Sequence, residues 1–289
     1  MQWNLLADSL CGSEGSKGFE RAPPESLRWE FRKNRILEHI LELDPTILCV
    51  QELDEPHFDD WILPSLKSIG FDGVFEKKPN SVDGSAIFVN SERFSIASTK
   101  SIRYAASPSS DTPPSPTDLF PQNQKALIVQ LLDKHSSRPL IVTVTHLKAE
   151  KNELGESIRY QEMKTLLDSL LSDYGTTSTP IIIAADLNAT PTSNHYPARV
   201  YPFIEQHSLG MQSSYANGRG SDGEPEYTTW KVRKGQESRH TIDYIFYRVN
   251  CGLEVVSTLD MPVDVDDDRI PSFRYPSDHF SLLTEFEWC

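Results

Sequence analysis

The stretch of sequence that decides the fold is Ile181-Ile182-Ile183-Ala184-Ala185-Asp186-Leu187-Asn188. A short apolar run followed at once by polar residues is typical of a buried strand that ends at the edge of its sheet. Asp186 and Asn188 stand two positions apart just beyond the run, so both side chains can face the same side. The stretch therefore predicts a central strand over 181–185 that delivers a carboxylate and an amide to one edge.

Similar runs lie on both sides of this stretch, and helical segments separate several of them. The predicted strands cover 47–50, 86–89, 126–132, 140–145, 242–247 and 280–286, and the predicted helices cover 25–43 and 157–173. Five prolines between Ala105 and Gln122 predict a long surface loop there, with a domain linker as the alternative. This mixture favours an α/β sandwich over a barrel, and 289 residues fit one domain spanning 1–289.

Composition limits the class of protein. Apolar residues make up 38% of the chain and charged residues 24%, values typical of a soluble globular protein. The 42 acidic residues outnumber the 28 basic ones and give a formal charge of −14. Because nucleic-acid affinity depends largely on Lys and Arg that neutralise phosphates, this charge disfavours a long, tightly held RNA. A local basic pocket can still take a small anion.

The sequence contains no secretory signal and no apolar segment of the ~20 residues that cross a bilayer. We therefore expect no membrane partner, and the sequence leaves the location unknown, with no targeting segment to separate a cytoplasmic from a mitochondrial intracellular protein. Asn4, a candidate site residue, lies three positions after Met1, so we expect the chain to be a trimmed catalytic core. The four cysteines are scattered without metal-like spacing and predict no disulfide framework. A monomer is expected.

Polar and acidic residues recur where the predicted strands begin or end. Each of them alone also fits a cap, a turn or a surface position. If the strands pack in one sandwich, however, these ends can converge on one rim, and their joint order indicates a site. The residues are Asn4, Glu52, His146, Asp186, Asn188, Asp243, Asp278 and His279.

This set of side chains suits the hydrolysis of a phosphate ester by water. The reaction needs a hard cation, a base beside the attacking water, donors for the developing negative charge and help for the leaving oxygen. The Glu52 carboxylate and the Asn4 amide oxygen suit Mg²⁺, and Asp186 can take a proton from water. The predicted donors to phosphate oxygens are Asn188, His146 and His279, with Asp243 fixing the tautomer of His279.

Short motifs along nearly the whole chain resemble the endonuclease/exonuclease/phosphatase superfamily, and within it the deadenylase-like branch. The motifs are Trp3-Asn4, Gln51-Glu52, Asp83-Gly84, Thr145-His146, Asp186-Leu187-Asn188, Asp243-Tyr244 and Ser277-Asp278-His279. Longer segments are similar to the nocturnin-like members of that branch. These are Thr145-His146-Leu147-Lys148-Ala149, Tyr227-Thr228-Thr229-Trp230-Lys231, Arg239-His240-Thr241-Ile242-Asp243-Tyr244 and the run from Pro271 to His279.

The resemblance implies a four-layer α/β sandwich, in which two mixed β-sheets pack together between helices. It implies that Glu52, together with Asn4, is the main holder of a Mg²⁺. It also implies that Asp278 tunes the side of the site where the metal binds. Nocturnin-like members are associated with removal of the 2′-phosphate of NADP⁺ and NADPH, whereas other relatives shorten poly(A) tails. The charge balance favours NADP(H) as the partner over RNA. The residues that match basic positions around the substrate phosphates are Lys78, Lys148 and Arg239.

Two positions depart from the family pattern. Ala185 stands where a glycine usually precedes the Asp-x-Asn motif, which a strand end should tolerate. Glu150 stands where nocturnin-like sequences carry arginine. Since a carboxylate within ~6 Å of a phosphate opposes its binding, either Glu150 turns away or the pocket differs, and Arg159 is the residue expected to compensate.

Two other functions remain open at this point. A 3′–5′ exoribonuclease specific for poly(A) would need a groove for stacked bases and a basic track for the backbone, and the sequence shows aromatic residues but no basic run. A non-catalytic binding module of the same fold would have no need for a cluster of like charges. The sequence therefore favours the phosphatase, keeps the exoribonuclease as the alternative, and disfavours the binding module.

Overall fold

A computed structural model describes residues 1–11, 18–104, 123–216, 223–233 and 235–289. Its helices are α1 (Asp8–Cys11), α2 (Trp29–Leu43), α3 (Glu55–His57), α4 (Leu63–Lys67), α5 (Glu153–Tyr174) and α6 (Val200–Gln206). Its longer strands are β2 (Ile47–Asp54), β3 (Phe71–Lys77), β4 (Asp83–Asn90), β5 (Phe94–Arg103), β6 (Lys125–Asp133), β7 (Pro139–His146), β8 (Ile181–Asp186) and β12 (Asp243–Arg248). The shorter ones are β1 (Gln2–Asn4), β9 (Met211–Ser213), β10 (Thr229–Arg233), β11 (Gln236–His240), β13 (Leu253–Thr258) and β14 (Thr284–Trp288). The loop predicted over 105–122 lies outside the described residues.

The first sheet has the strand order β1-β2-β4-β3. β1 runs parallel to β2, and the other neighbours are antiparallel. Alternate residues of its strands face opposite sides, as the two-residue period of a strand requires. On the outer side, Leu48 and Phe88 pack against Ile36 and Ile40 of α2 and Leu66 of α4.

The second sheet has the order β5-β6-β7-β8-β12-β9, in which only β7 and β8 run parallel. Its outer side, including Ile141 and Ile183, packs against Met163 and Leu167 of α5 and Ile204 of α6. Its inner side meets the inner side of the first sheet in one apolar cluster. Members of that cluster from both sheets are Cys49, Ile87, Val89, Leu127, Val129, Val142 and Val144.

The predicted four-layer sandwich of two packed mixed sheets between helices is confirmed. The predicted strands 126–132 and 140–145 extend by one residue at each end, 181–185 extends to Asp186, and 242–247 is shifted by one residue. The predicted strands 47–50 and 86–89 were too short, because β2 continues to Asp54 and β4 begins at Asp83. Helix α5 begins four residues earlier than predicted, because the Asn152 side chain accepts a hydrogen bond from the Gly155 amide at 2.7 Å and caps it. No helix among the described residues is long and apolar enough to cross a membrane.

The predicted last strand, 280–286, is wrong in its position. The observed strand is Thr284–Trp288, and it pairs with β13. The preceding residues are apolar for a different reason. The Phe280 amide donates to the Thr228 carbonyl at 2.8 Å. Leu282 and Gln2 of β1 form an isolated bridge, in which each amide donates to the other's carbonyl at 2.9 Å. This segment therefore joins the end of the chain to the first sheet before the strand begins.

Candidate active site

Glu52 lies inside a β-bulge, not at the end of its strand as predicted from sequence. The pairing of β2 with β4 shifts register between Val50 and Leu53, and Glu52 has a φ of 51°. A bulge bends the strand and redirects a side chain. The Glu52 carboxylate is 15% exposed and accepts hydrogen bonds from the Asn4 Nδ2 at 3.1 Å and the Ala7 amide at 3.4 Å.

Three neighbouring strands of the second sheet place three candidate residues side by side. His146 of β7 is paired in register with Asp186 of β8, and Asp186 is paired with Asp243 of β12. All three are buried, with exposures of 4%, 1% and 1%. The sheet register alone therefore assembles a histidine and two carboxylates at one edge.

Asn188 follows Asp186 in a left-handed backbone conformation, with φ of 48°. Asparagine tolerates that region better than most residues. The Asn188 amide donates to the Asp186 Oδ1 at 3.0 Å, which fixes the turn. The side-chain Nδ2 donates to the Leu147 carbonyl at 3.1 Å and lies 3.0 Å from the His146 Nε2.

Asp243 and His279 form a buried pair with an Nδ1···Oδ2 distance of 2.9 Å. Asp243 also accepts hydrogen bonds from the Thr228 hydroxyl at 2.6 Å and the Gln2 Nε2 at 3.1 Å. Burial opposes the charged imidazolium, but the carboxylates of Asp243, Asp278 and Asp186 together outweigh it and raise the pKa of His279 to about 9. His279 is therefore a cation at neutral pH, with its Nε2 3.9 Å from the Asp186 Oδ2.

His146 and Asp186 show the opposite tendency to remain uncharged. Burial, with the Lys78 ammonium, holds the pKa of His146 well below its usual range. Burial, reinforced by Asp243, raises the pKa of Asp186 to about 7. A carboxylate whose pKa lies near neutrality is well suited to exchange a proton with water. The His146 Nε2 lies 3.6 Å from the Asp186 Oδ2.

Asp278 is held by two cations of the β10–β11 hairpin. Lys231 forms a close ion pair with the Asp278 Oδ2, and Arg233 lies 3.5 Å from the same oxygen. Burial alone would raise the pKa of Asp278, but Lys231, His279 and Arg233 together hold it well below its usual range. The other oxygen, Oδ1, lies 3.9 Å from the His279 Nε2 and has no hydrogen-bond partner among the described residues.

The donor set fits a divalent cation. Ligand atoms of Glu52, His146 and Asp186 all lie within 4.8 Å of one another, and two of the three are carboxylates. Asn4, which we predicted as an oxygen ligand, is oriented differently. Its Oδ1 accepts from the Leu6 amide at 2.9 Å, and its Nδ2 donates to Glu52 and to Asp186 at 2.8 Å. In this arrangement Asn4 positions the carboxylates, and its oxygen faces away from them.

A cleft of about 1430 Å³ opens above these residues. One wall is a face of the β10–β11 hairpin that carries Thr229, Lys231 and Arg233. Alternate residues of β10 face the opposite side. The loop that carries His195 and Tyr196 forms another part of the lining. Six candidate residues line the floor of this cleft, namely Glu52, His146, Asp186, Asn188, Asp278 and His279, whereas Asn4 and Asp243 are buried and do not line it.

The basic residues predicted from the family resemblance do not lie on that wall. Arg239 lies on the opposite face of the hairpin, 4.5 Å from the ring centres of Tyr227 and Trp230, where it lines a separate hollow of about 380 Å³. Lys78 is 8% exposed and pairs with Asp83 at 2.5 Å. Lys148 is half-buried and is not among the described residues that line the cleft.

The sequence analysis missed three cations that line the cleft, which are Lys151, Lys231 and Arg233. Lys231 and Arg233 lie in Thr229-Trp230-Lys231-Val232-Arg233 with the two-residue period of a strand face, and this signal was available in the sequence. The segment was not recognised as a strand because it is short and polar. Arg239 pairs with Trp230 in the hairpin register, which places it on the other face.

Glu150 turns away from the cleft. Its carboxylate accepts a hydrogen bond from the Asn152 Nδ2 at 2.9 Å, and it is absent from the described cleft lining. Arg159, expected to compensate for it, is fully buried and pairs with Glu156 at 2.9 Å. Arg159 also donates to the carbonyls of Lys148 and Glu150 at 2.9 and 2.6 Å. Arg159 therefore fixes the shape of this loop without facing a substrate.

Comparison with known proteins agrees with this geometry. Residues 1–279 match the model of the endonuclease/exonuclease/phosphatase family. The chain is 38% identical to nocturnin of Mus musculus over 100% of its own length and 65% of that protein. It is 37% identical to nocturnin of Xenopus laevis, over 100% of the chain and 72% of that protein. The chain thus spans about two thirds of the length of these curated relatives.

Among solved structures, the human nocturnin catalytic domain with a bound sulfate anion superposes with a TM-score of 0.76 and 35% identity. The match covers 100% of this chain and 93% of that one. The family is metal-dependent, and the described cluster of Glu52, His146 and Asp186 fits such an ion. The chain therefore belongs to the endonuclease/exonuclease/phosphatase family, and nocturnin is similar to it over the whole of its length.

Proposed function

We propose that this chain is a Mg²⁺-dependent phosphatase that removes the 2′-phosphate of NADP⁺ and NADPH to give NAD⁺ and NADH. The observation that carries the proposal is the combination of a compact hydrolytic cluster with a short basic wall. Lys151, Lys231 and Arg233 supply three cations to the cleft. That number suits a small dinucleotide better than a polymer, which needs phosphate contacts along several nucleotides.

The side chains divide the work of hydrolysis among them. Asp186 takes a proton from the attacking water, since burial and Asp243 bring its pKa to about 7. The charged His279 and the Asn188 amide donate hydrogen bonds to oxygens that gain negative charge. A divalent cation held mainly by Glu52 would supply Lewis-acid stabilisation of the phosphate. Asp243 keeps His279 charged and oriented.

The size of the cleft supports a substrate larger than a phosphate monoester alone. A volume of about 1430 Å³ exceeds the ~300–1,000 Å³ of ordinary small-molecule sites. NADPH has a second nucleotide beyond the reacting ribose, and that part can occupy the outer cleft beside Tyr196. The human relative's bound sulfate supports a preference for tetrahedral anions in this fold. The same volume is the one observation that favours a 3′–5′ exoribonuclease as the second candidate.

One experiment separates the two candidates. Phosphate release from NADPH and shortening of a labelled A-tract are measured with the same preparation, with Mg²⁺ and with chelator. We expect kcat/KM for NADPH to exceed that for the A-tract by orders of magnitude, with both activities lost in chelator. Removal of adenosines without release of phosphate from NADPH would refute the phosphatase and leave the exoribonuclease.

A further inference from the structure

Lys151 lies on the loop between β7 and α5 and lines the cleft together with Lys231 and Arg233 of the β10–β11 hairpin. Burial by the cleft walls, followed by repulsion from Lys231 and Arg233, lowers the pKa of Lys151. Burial, followed by Lys151 and Lys231, lowers the pKa of His240 in the same way. Because water and salt screen repulsion beyond roughly 10 Å, these three cations converge on one region of the cleft.

The loop that carries Lys151 is held in place on both sides of it. Arg159 donates to the Glu150 carbonyl at 2.6 Å, and the Asn152 side chain accepts from the Gly155 amide at 2.7 Å. The loop also packs directly on the first turn of α5, where a Cβ at Gly155 would lie 2.1 Å from the Glu150 carbonyl oxygen. The backbone around Lys151 is therefore fixed, and its ammonium group is presented to the cleft.

The protein neutralises these three cations only in part. Lys231 and Arg233 share one carboxylate, that of Asp278, whereas Lys151 has no ion-pair partner in the part of the chain that the structure describes. Arg233 reaches Asp278 with Nη2 at 3.5 Å, and its Nε has no hydrogen-bond partner among those residues. Donors therefore remain available on both sides of the cleft.

Carboxylates of the outer cleft do not cancel this charge. Glu153 lies 3.6 Å from Arg199 and Glu237 lies 2.7 Å from Arg269, so each has a cation of its own. In a chain with a formal charge of −14, this region holds three positive charges against one negative charge. Such an excess is unfavourable by itself, and a bound anion relieves the repulsion.

The basic region lies beside the catalytic cluster. The Asp278 Oδ2 is held by the two hairpin cations, whereas its Oδ1 lies 3.9 Å from the His279 Nε2. A second anionic group on the same nucleoside can therefore reach the cations while the first phosphate occupies the cluster. A diphosphate spreads its charge over several oxygens and matches three cations better than a single carboxylate does.

We propose that Lys151, Lys231 and Arg233 form an anion subsite beside the catalytic cluster, and that Lys151 selects substrates that carry a diphosphate in addition to the phosphate that is removed. This inference rests on the proposed function, because it assumes hydrolysis of a phosphate ester in the cluster. The selection depends on Lys151, since Lys231 and Arg233 are already engaged with Asp278. The diphosphate can belong to a nucleoside diphosphate or to the bridge of a dinucleotide.

Three substrates that share a 2′-phosphate test the selection. Adenosine 2′-monophosphate has no diphosphate, adenosine 2′-phosphate 5′-diphosphate has one, and in NADPH the diphosphate joins two nucleosides. We expect kcat/KM for the second and third substrates to exceed that for the first by about 10²-fold, from charge-assisted hydrogen bonds. Equal values for all three would overturn the subsite and leave the proposed function intact. An increase confined to NADPH would also overturn it, because the second nucleoside would then account for the selection.

A matched pair of lysine variants assigns the effect to Lys151. Lys151→Gln removes the charge in the cleft, and Lys164→Gln removes an exposed charge on α5 that pairs with Asp168. We expect K151Q to lower kcat/KM for both diphosphate substrates by about tenfold, mainly through KM and more at low salt, and to leave adenosine 2′-monophosphate within about twofold. K164Q should match the wild type. An equal loss on all three substrates, or no loss on any, would refute the role of Lys151.

Binding of ADP tests the subsite independently of catalysis. ADP has the diphosphate and no 2′-phosphate, and titration calorimetry without Mg²⁺ measures its affinity for the wild type and both variants. We expect K151Q to bind ADP about tenfold more weakly than K164Q does. If the wild type releases phosphate from none of the three substrates, the proposed function fails, and the ADP affinities still decide the subsite. Equal affinities of the two variants, or no binding of ADP to the wild type, would exclude it.

Discussion

At Glu52 the backbone adopts a conformation that is unfavourable for a residue with a Cβ, with φ of 51° inside the β2 bulge. Such a conformation costs about 1 kcal/mol or more and persists where surrounding structure enforces it. Its effect is to turn a partly exposed carboxylate toward Asp186 and His146. The strain supports a functional role for this position.

We expect Glu52→Ala to abolish turnover, because it removes the most accessible carboxylate of the cluster. The measurement is phosphate release as a function of Mg²⁺ concentration. Glu55→Ala, three positions along the chain and paired with Lys77 on the surface, is the control and should retain wild-type kinetics. Wild-type activity of the Glu52 variant at low millimolar Mg²⁺ would remove Glu52 from the metal site.

Asn188→Ala should lower kcat by roughly 10²- to 10³-fold, the usual loss for one oxyanion donor. Alanine also disfavours the φ of 48° at this position, so some stability is lost as well. Asn188→Gly removes the amide donor and tolerates that φ, and it should lose as much kcat with less change in Tm. An unchanged kcat in the glycine variant would exclude Asn188 from transition-state stabilisation.

At the residue level, the structure brings together the eight residues that the chain order singled out, because they lie at or near the ends of strands that meet at one edge. The orientation of those side chains could not be predicted. Asn4 illustrates the limit. Its amide turns its nitrogen to the carboxylates because the Leu6 amide takes its oxygen, and only the folded turn supplies that donor.

The β10–β11 hairpin presents arginines on both faces, and this allows a matched comparison. Arg233→Ala should raise KM for NADPH several-fold, more at low salt, because Arg233 lines the cleft. Arg239→Ala should leave KM within about twofold, since Arg239 packs on Tyr227 and pairs with Glu226 behind the wall. Steady-state kinetics at two salt concentrations measures both. A larger KM effect at Arg239 would reverse the assignment of the two faces.

Helix α5 buries a carboxyl group that should make stability depend on pH. Burial raises the pKa of Glu162 from 4.5 to about 8, although its Oε2 accepts from the Lys148 amide at 2.9 Å. The folded chain therefore holds this proton more tightly than the unfolded chain. The resulting stability is present in full below pH 4.5 and is lost as pH rises through 8, with a slope of at most about 1.4 kcal/mol per unit.

Glu162→Gln keeps the acceptor for the Lys148 amide and removes the titration. Between pH 5 and 8, its urea midpoint should fall less steeply than that of the wild type. Glu153→Gln is the control, because Glu153 is exposed on the same helix and should leave the slope unchanged. Parallel wild-type and Glu162→Gln curves would contradict the raised pKa of Glu162.

Elements with strong apolar periodicity were predictable, and the polar ones were not. The inner strands β6, β7 and β8 were located to within one or two residues because both of their faces are buried. The β10–β11 hairpin and β5 were missed, since exposed strands carry polar residues that do not differ from those of loops. The final strand was predicted too early in the chain because Phe280 and Leu282 are apolar and buried. Their burial comes from packing in two small apolar clusters, outside any strand.

We propose that residues 1–289 form one cooperative unit, because a single apolar cluster joins both sheets. Calorimetry should show one transition whose calorimetric and van't Hoff enthalpies agree. Mg²⁺ at 100 times its Kd should stabilise the folded chain by about 2.7 kcal/mol and raise Tm. Glu52→Ala should lose this rise. Two separable transitions would divide the chain into independent domains.

The short strand β1 ties together segments from opposite ends of the described chain. Gln2 pairs with Cys49 on one side and exchanges backbone hydrogen bonds with Leu282 on the other. Contacts of such long sequence separation form slowly, because the entropy of closing the loop precedes any gain. During refolding, helix α5 can therefore regain its circular dichroism while the cluster of Asp243 and His279 is still incomplete. Recovery of enzymatic activity should lag behind recovery of helix, and the length of that lag would time the closure of β1 onto Leu282.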